Sequence, residues 1–196
     1  MFLIVGLGNP GAEYENTPHN LGFLTVERLA EASGVRVSRR ECRALVGLGR
    51  MENHKVVLAK PLSYMNLSGG PVEALLGKYE LGLDDLVVIC DDLNLPWTSL
   101  RIRRRGSAGG HHGLESIIGE LGSREFVRVR LGVAPLHPVK DAARFLLAPF
   151  SRSQQKDLQE LIGRSAEAVR FLIAEGAAKA MTKFNRRAGG SSIEEE

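Results

Sequence analysis

The sequence predicts a single α/β domain, a twisted mixed β-sheet with helices on both faces. Three observations carry that expectation. Short apolar runs alternate with segments of helical periodicity, the order that builds a sheet with crossover helices. One run, Leu86-Val87-Val88-Ile89-Cys90, is apolar throughout, as a central strand covered on both faces requires. Two further runs are joined by a polar turn and read as a hairpin, so the sheet cannot be wholly parallel. The 196 residues, 43% hydrophobic and 25% charged, suit one domain with a substantial core. No repeat or linker divides them, and the domain is placed at residues 1–187.

The elements follow in order. Residues 2–7 form a strand ending in a Gly-rich turn. Thr17-Pro18 reads as an N-cap with proline at N1, opening a helix through about Ala32 that Gly34 ends. Ala44–Leu48 and Lys55–Ala59 make the hairpin, Pro71–Leu81 a helix, and 86–90 the central strand. Ser99–Arg104 and Phe126–Val133 alternate as strands, with a short helix near Leu114–Leu121 between them and another at Val139–Leu147. Ser151-x-x-Gln154 is a capping-box signal for a last helix. Its apolar face is Leu158, Leu161, Ile162, Val169, Leu172 and Ile173. Ala188–Glu196, Gly/Ser-rich and then acidic, reads as a disordered tail.

No run of eighteen apolar residues exists, so no membrane partner is expected. Met1 leads straight into Phe2-Leu3-Ile4-Val5 without a basic n-region, which predicts a buried strand and no signal peptide. Cys42 and Cys90 form no C-x-x-C and read as reduced thiols of a cytoplasmic protein. Net charge is +3, and its clustering says more than its size. Arg36, Arg39, Arg40 and Arg43 form one group; Arg101, Arg103, Arg104 and Arg105 form a second; Lys179, Lys183, Arg186 and Arg187 form a third. The three could converge on a polyanion, although charge alone fits ordinary solvated faces as well.

Gly6-Leu7-Gly8-Asn9-Pro10-Gly11 is a literal G-x-G-x-x-G. A dinucleotide loop needs its helix to begin among the glycines, so that free N–H groups meet the pyrophosphate. Pro10 sits inside the motif, Glu13, Glu15 and Pro18 follow, and Glu27 falls within the predicted helix, where no second strand ends. The dinucleotide reading fails on this context. The glycines instead let the backbone approach a substrate and aim Asn9 and His19 at it. In the first turn of a helix, His19 would be kept neutral and available as a base by the positive dipole end. Asp91, after the central strand, lies where open α/β sheets place their sites, and could fix the histidine's tautomer. Taken singly, His19 reads as a surface helix residue and Asp91 as a loop acid.

Five blocks occur in order: VGLGNPG; Y-x-x-T-P-H-N; K-P-x-S-Y-M-N-x-S-G from Lys60 to Gly69; D-D-L-N-L-P from Asp91 to Pro96; and G-S-A-G-G-H-H-G-L from Gly106 to Leu114. Together they resemble the bacterial peptidyl-tRNA hydrolase family, from Met1 to about Arg187. The resemblance implies a phosphorylase/hydrolase-like α/β fold. It also implies hydrolysis of the ester joining a peptide to the 3′-terminal ribose of tRNA, with no cofactor and no metal. It makes His19 the general base toward water and Asp91 the group that steadies it. An ester is already activated, so base-assisted water suffices.

The same resemblance makes Asn9 the residue that separates N-blocked peptidyl-tRNA from free aminoacyl-tRNA, its amide oxygen accepting from a peptide N–H. It places Tyr14, Tyr64, Asn66, His111 and His112 at the substrate. His112 is a departure, since the family has an asparagine there that binds substrate and helps hold water. Imidazole can donate and accept as an amide does, with a rigid ring and another reach. His111 matches the family's histidine and is expected to orient the site. Arg101, Arg103, Arg104, Arg105 and Lys183 are the expected phosphate contacts to the acceptor arm and CCA end of the tRNA. A monomer is implied by likeness alone. The alternative is a catalytically weak RNA-binding relative of the same fold. Zinc is not expected, because adjacent His111-His112 diverge and no His/Cys spacing supports it. Gly106-Ser107-Ala108-Gly109-Gly110 is not the G-x-S-x-G of a serine hydrolase.

Overall fold

The computed structural model describes residues 1–185, so the tail at 188–196 and Arg186 and Arg187 lie outside the described residues. Seven strands form one sheet in the order β2-β3-β4-β1-β5-β7-β6. β1 (Phe2–Gly6), β4 (His54–Pro61), β5 (Leu86–Pro96) and β7 (Val127–Ala134) run parallel at its centre. β3 (Ala44–Met51) is antiparallel to β4, and the short β2 (Arg39–Glu41) to β3. β6 (Leu100–Arg103) is antiparallel to β7 at the opposite edge.

Alternation along the central strands feeds two cores. Leu3, Val5, Leu86, Val88 and Cys90 face one side and pack under α2 (Gly69–Lys78) and α3 (His112–Leu121). Ile4, Val87 and Ile89 face the other, under α1 (Leu21–Ser33), α5 (Gln155–Glu175) and α6 (Ala177–Phe184). The mixed sheet with helices on both faces is therefore as expected. The chain leaves β1 toward β4 and leaves β5 toward β7. The carboxyl ends of β1 and β5 thus flank a topological switch point, where open α/β sheets bind ligands.

Element boundaries follow local physics. Pro18 stands at the first helical position, but of a 3₁₀ turn (Pro18–Asn20), and α1 proper begins at Leu21. Thr17 does not cap it: its hydroxyl donates back to the Tyr14 carbonyl at 2.8 Å. Gly34 ends α1 in the left-handed region, φ 62°. The helix expected at 71–81 spans Gly69–Lys78, and the short one expected at 139–147 is α4 (Ala142–Leu146). β5 runs past Cys90 to Pro96 because β7 keeps pairing with Asp91 and Asp92 after β1 has ended. The Ser151–Gln154 capping box is present, on a 3₁₀ turn that leads into α5. The single last helix expected is two, broken at Gly176 with φ 86°. The short β2 and the separate α6 are additions to the elements expected from the sequence.

Candidate active site

Leu7 N–H donates to the Ile89 carbonyl at 2.9 Å, and beyond that bond β1 and β5 part. Asp91 shares the side of Val87 and Ile89, so its carboxylate leaves the sheet toward α1. His19 meets it there. Nδ1 of His19 lies 2.9 and 3.0 Å from the two carboxylate oxygens, and both residues are buried. The glycines make this approach possible. A Cβ on Gly6 would overlap the carbonyl of Gly22, and one on Gly22 would overlap Leu7 N and Ile89 O. A Cβ on Gly8 would strike the Phe23 ring. The glycine motif therefore admits the start of α1 onto the sheet. The atoms that Gly6 and Gly8 meet belong to the protein, where the sequence reading puts a substrate.

His111 completes the cluster. As N-cap of α3 it accepts from Gly113 N–H and Leu114 N–H through Nδ1, at 3.1 and 3.3 Å. Its Nε2 lies 3.0 Å from Asp91 Oδ1. A nitrogen that accepts two backbone N–H bonds carries no proton, so the ring proton of His111 sits on Nε2 and is donated to Asp91. The buried carboxylate thereby gains donors from two rings. Burial, the largest single influence, pushes the Asp91 carboxyl up, but the combined pull of His111 and His19 outweighs it and holds the group well below the usual carboxylate range. An anionic Asp91 draws the proton of His19 to Nδ1. That leaves the Nε2 lone pair of His19 free.

Ligand atoms of His19, Asp91 and His111 lie within 4.8 Å of one another, close enough to raise a metal. The tautomer of His111 argues otherwise. With Nε2 on a cation, the neutral ring would carry its proton on Nδ1, facing two N–H donors, and the cap of α3 would be lost.

Asn9 is fixed by three hydrogen bonds. Its backbone N–H donates to Asn20 Oδ1 (2.9 Å), and Asn20 Nδ2 donates to its carbonyl (3.0 Å). Its side-chain oxygen accepts from Met65 N–H at 2.8 Å. The NH₂ of the same amide, a donor, has no hydrogen-bond partner among the described residues, whereas the sequence reading has the oxygen meet the substrate.

His19, Asp91, Asn9, Tyr64, Asn66, His111 and His112 all line one cleft of about 580 Å³. Asn66 is exposed, and no protein group among the described residues bonds its amide. His112, at the start of α3, is exposed, with Nδ1 3.1 Å from Glu115. Ala142, Ala143 and Leu146 of α4, with Leu93 and Leu147, add an apolar wall. Tyr14 is half-buried and does not line the cleft. Cys90 is buried, its thiol pushed up by burial, and takes no part.

Asn20 and the α4 wall escaped sequence reasoning. Asn20 had a signal, a polar residue in the quoted T-P-H-N block ahead of the apolar start of α1. The wall had none, because small and aliphatic residues on a short helix read only as packing.

The first and second basic groups do not converge, while α6, which carries Lys179 and Lys183, packs beside the second. Arg39 and Arg40 sit on β2 and Arg101 and Arg103 on β6, at opposite edges of the sheet. Six strand spacings of about 4.8 Å separate them. Lys183 is not a free cation: it lies 3.2 Å from Glu167 and over the rings of Phe171 and Phe184. Arg101, Arg103 and Arg104 are exposed with no acid within 4.0 Å among the described residues, and Arg105 is 3.9 Å from Glu125.

The sequence profile described as Peptidyl-tRNA hydrolase matches residues 3–192. A peptidyl-tRNA hydrolase of Solibacter usitatus is 54% identical over 195 residues, covering 100% of both chains. One of Koribacter versatilis is 51% identical, covering 95% of this chain and 94% of its own. The crystal structure of peptidyl-tRNA hydrolase from Acinetobacter baumannii superimposes with a TM-score of 0.88 at 31% identity, covering 94% of each chain. With its profile, its full-length relatives and its fold in agreement, this chain belongs to the peptidyl-tRNA hydrolase family.

Proposed function

We propose that His19 is the general base of peptidyl-tRNA hydrolysis, taking a proton from water through Nε2 as that water attacks the ester carbonyl. The observation that carries this reading is the pairing of His19 Nδ1 with Asp91 inside the cleft, which leaves Nε2 unprotonated. Asp91 stabilises the imidazolium formed in the step, and the same ring then returns its proton to the leaving ribose oxygen. The water oxygen ends on the peptide carboxyl, and tRNA leaves with its hydroxyl restored.

Asn9 and Asn66 supply neutral donors. The Asn9 NH₂ meets the carbonyl of the peptide bond that precedes the ester, a group that free aminoacyl-tRNA lacks. With free aminoacyl-tRNA that donor is left unmatched inside a buried site, which supports discrimination in favour of N-blocked substrates. Asn66 serves the developing oxyanion. Tyr64 stacks on the terminal adenine, and the apolar wall of α4 suits peptide side chains.

Arg101 and Arg103 face the same side of the sheet as their cross-strand partners Arg130 and Arg128. Arg128 is buried and Arg130 is paired with Asp92, so the exposed Arg101 and Arg103, with Arg104 and Arg105 beyond them, are the ones that support phosphate contacts to the acceptor arm. The likeness to the family is what supports a monomer. The family's place in translation supports a cytoplasmic setting, and no helix of the described residues is long and apolar enough to cross a membrane.

The test offers N-acetyl-aminoacyl-tRNA and unblocked aminoacyl-tRNA side by side. Rapid release of the blocked amino acid alone is expected. Equal rates on both would overturn the role given to Asn9.

A further inference from the structure

β6 ends the sheet, and an edge strand presents unpaired N–H and C=O groups along its free side. At Ile102 that side is filled. Asn185, the C-cap of α6, accepts from Ile102 N–H through Oδ1 at 2.7 Å and donates from Nδ2 to the Ile102 carbonyl at 3.0 Å. One side-chain amide thus stands in for one residue of a neighbouring strand. The Ile102 side chain enters the core that also holds Ala180 and Phe184 of α6. Its neighbours Arg101 and Arg103 therefore point to the opposite face, about 7 Å apart along the strand. Both are exposed and have no acidic partner within 4.0 Å among the described residues. The lysines of α6 differ: Lys179 is 2.6 Å from Glu175, and Lys183 is held by Glu167.

We infer that Asn185 is a positioning residue for the polyanion: its clamp on Ile102 holds Arg101 and Arg103 as a fixed pair of cations for adjacent phosphates. The inference rests on reading those arginines as phosphate contacts. A four-residue edge strand paired on one side frays readily, and two mobile arginines must lose more freedom on binding than two held in place.

Binding of deacylated tRNA by the full-length protein, measured against salt, tests this without requiring turnover. The Arg101→Ala/Arg103→Ala variant sets the scale, with affinity down about tenfold or more and a shallower salt slope. Asn185→Ala is expected to lose about three- to tenfold in affinity, and to lose nothing further in the variant that lacks both arginines. In turnover its KM for N-acetyl-aminoacyl-tRNA rises in proportion. KM for a CCA-end fragment without the acceptor helix does not, and kcat is unchanged on either substrate. Asn185→Gln, which keeps the amide, covers the case in which the alanine variant fails to fold and is expected to recover part of the affinity.

Unchanged affinity in Asn185→Ala, a full further loss in the arginine-free background, or an equal KM rise on both substrates would overturn the inference. If the protein hydrolyses neither substrate, the catalytic reading fails while the binding measurements still decide the role of Asn185.

Discussion

Asp91 receives two imidazoles on one carboxylate, the ring of His111 through Nε2 and the ring of His19 through Nδ1. His111 Nδ1 is committed to the N-terminus of α3, so its Nε2–H must donate to Asp91 Oδ1 at 3.0 Å. His19 Nδ1 lies 2.9 Å from the same oxygen. The helix cap therefore fixes the His111 tautomer, and the carboxylate fixes that of His19, leaving its Nε2 unprotonated.

Asp91→Asn removes that logic while keeping the shape. The asparagine NH₂ turned toward His19 would donate to Nδ1 and drive the proton to Nε2, abolishing the base. A fall in kcat on the order of 10⁴ with little change in KM is expected, by analogy with such a substitution in a serine-protease triad. Nitrogen-15 NMR of His19 would show the tautomer exchange.

The same carboxyl sets a pH dependence of stability. Its folded value is depressed, so its contribution is complete above the unfolded value of about 3.9 and is lost as pH falls toward the lower folded value. Urea midpoints of the wild type and Asp91→Asn should differ most near pH 7. The gap should close in strong acid.

Asn9→Asp keeps an oxygen for Met65 N–H but turns the free donor into an acceptor. A loss of about 10²–10³ in kcat/KM on N-acetyl-aminoacyl-tRNA is expected, as for removal of one donor in a preorganised site. Asn20→Ala should show a smaller loss of the same kind, about tenfold, because it frees the backbone of Asn9 without touching substrate.

Much of this site was legible because its parts lie in short local blocks. The apolar run before Asp91 placed it at a strand end and the helix start placed His19, but only the five blocks taken together singled these two out and added Asn66 and the histidine pair. The direction of the Asn9 amide could not be read, since it depends on Met65 N–H, 56 positions away. Nor could the separation of the arginine groups, because only strand order puts β2 and β6 at opposite edges. Thr17 had the right residue type for a cap, but its hydroxyl found the Tyr14 carbonyl. The glycines signalled close approach correctly and concealed what approached.

Gly22→Ala places a methyl against Leu7 N and Ile89 O, both backbone atoms that cannot yield. A loss of at least about 1–3 kcal/mol is expected from overpacking alone, read as a lowered melting temperature. Residual activity per folded molecule should also drop, since His19 is then held away from Asp91.

At His112 the expectation is the reverse. The ring is exposed and bonded to Glu115, clear of the buried cluster. His112→Asn should leave turnover of N-acetyl-aminoacyl-tRNA equal or higher, and a collapse of activity would show that the imidazole itself is needed.

The most direct measurement is the single-turnover rate of N-acetyl-aminoacyl-tRNA cleavage by wild type and His19→Ala, each in the presence of a metal chelator. The wild-type rate should survive chelation, and the variant should fall by about 10²–10⁴ while still binding tRNA. A variant that cleaves at the wild-type rate, or a wild type silenced by the chelator, would contradict a water activated by His19.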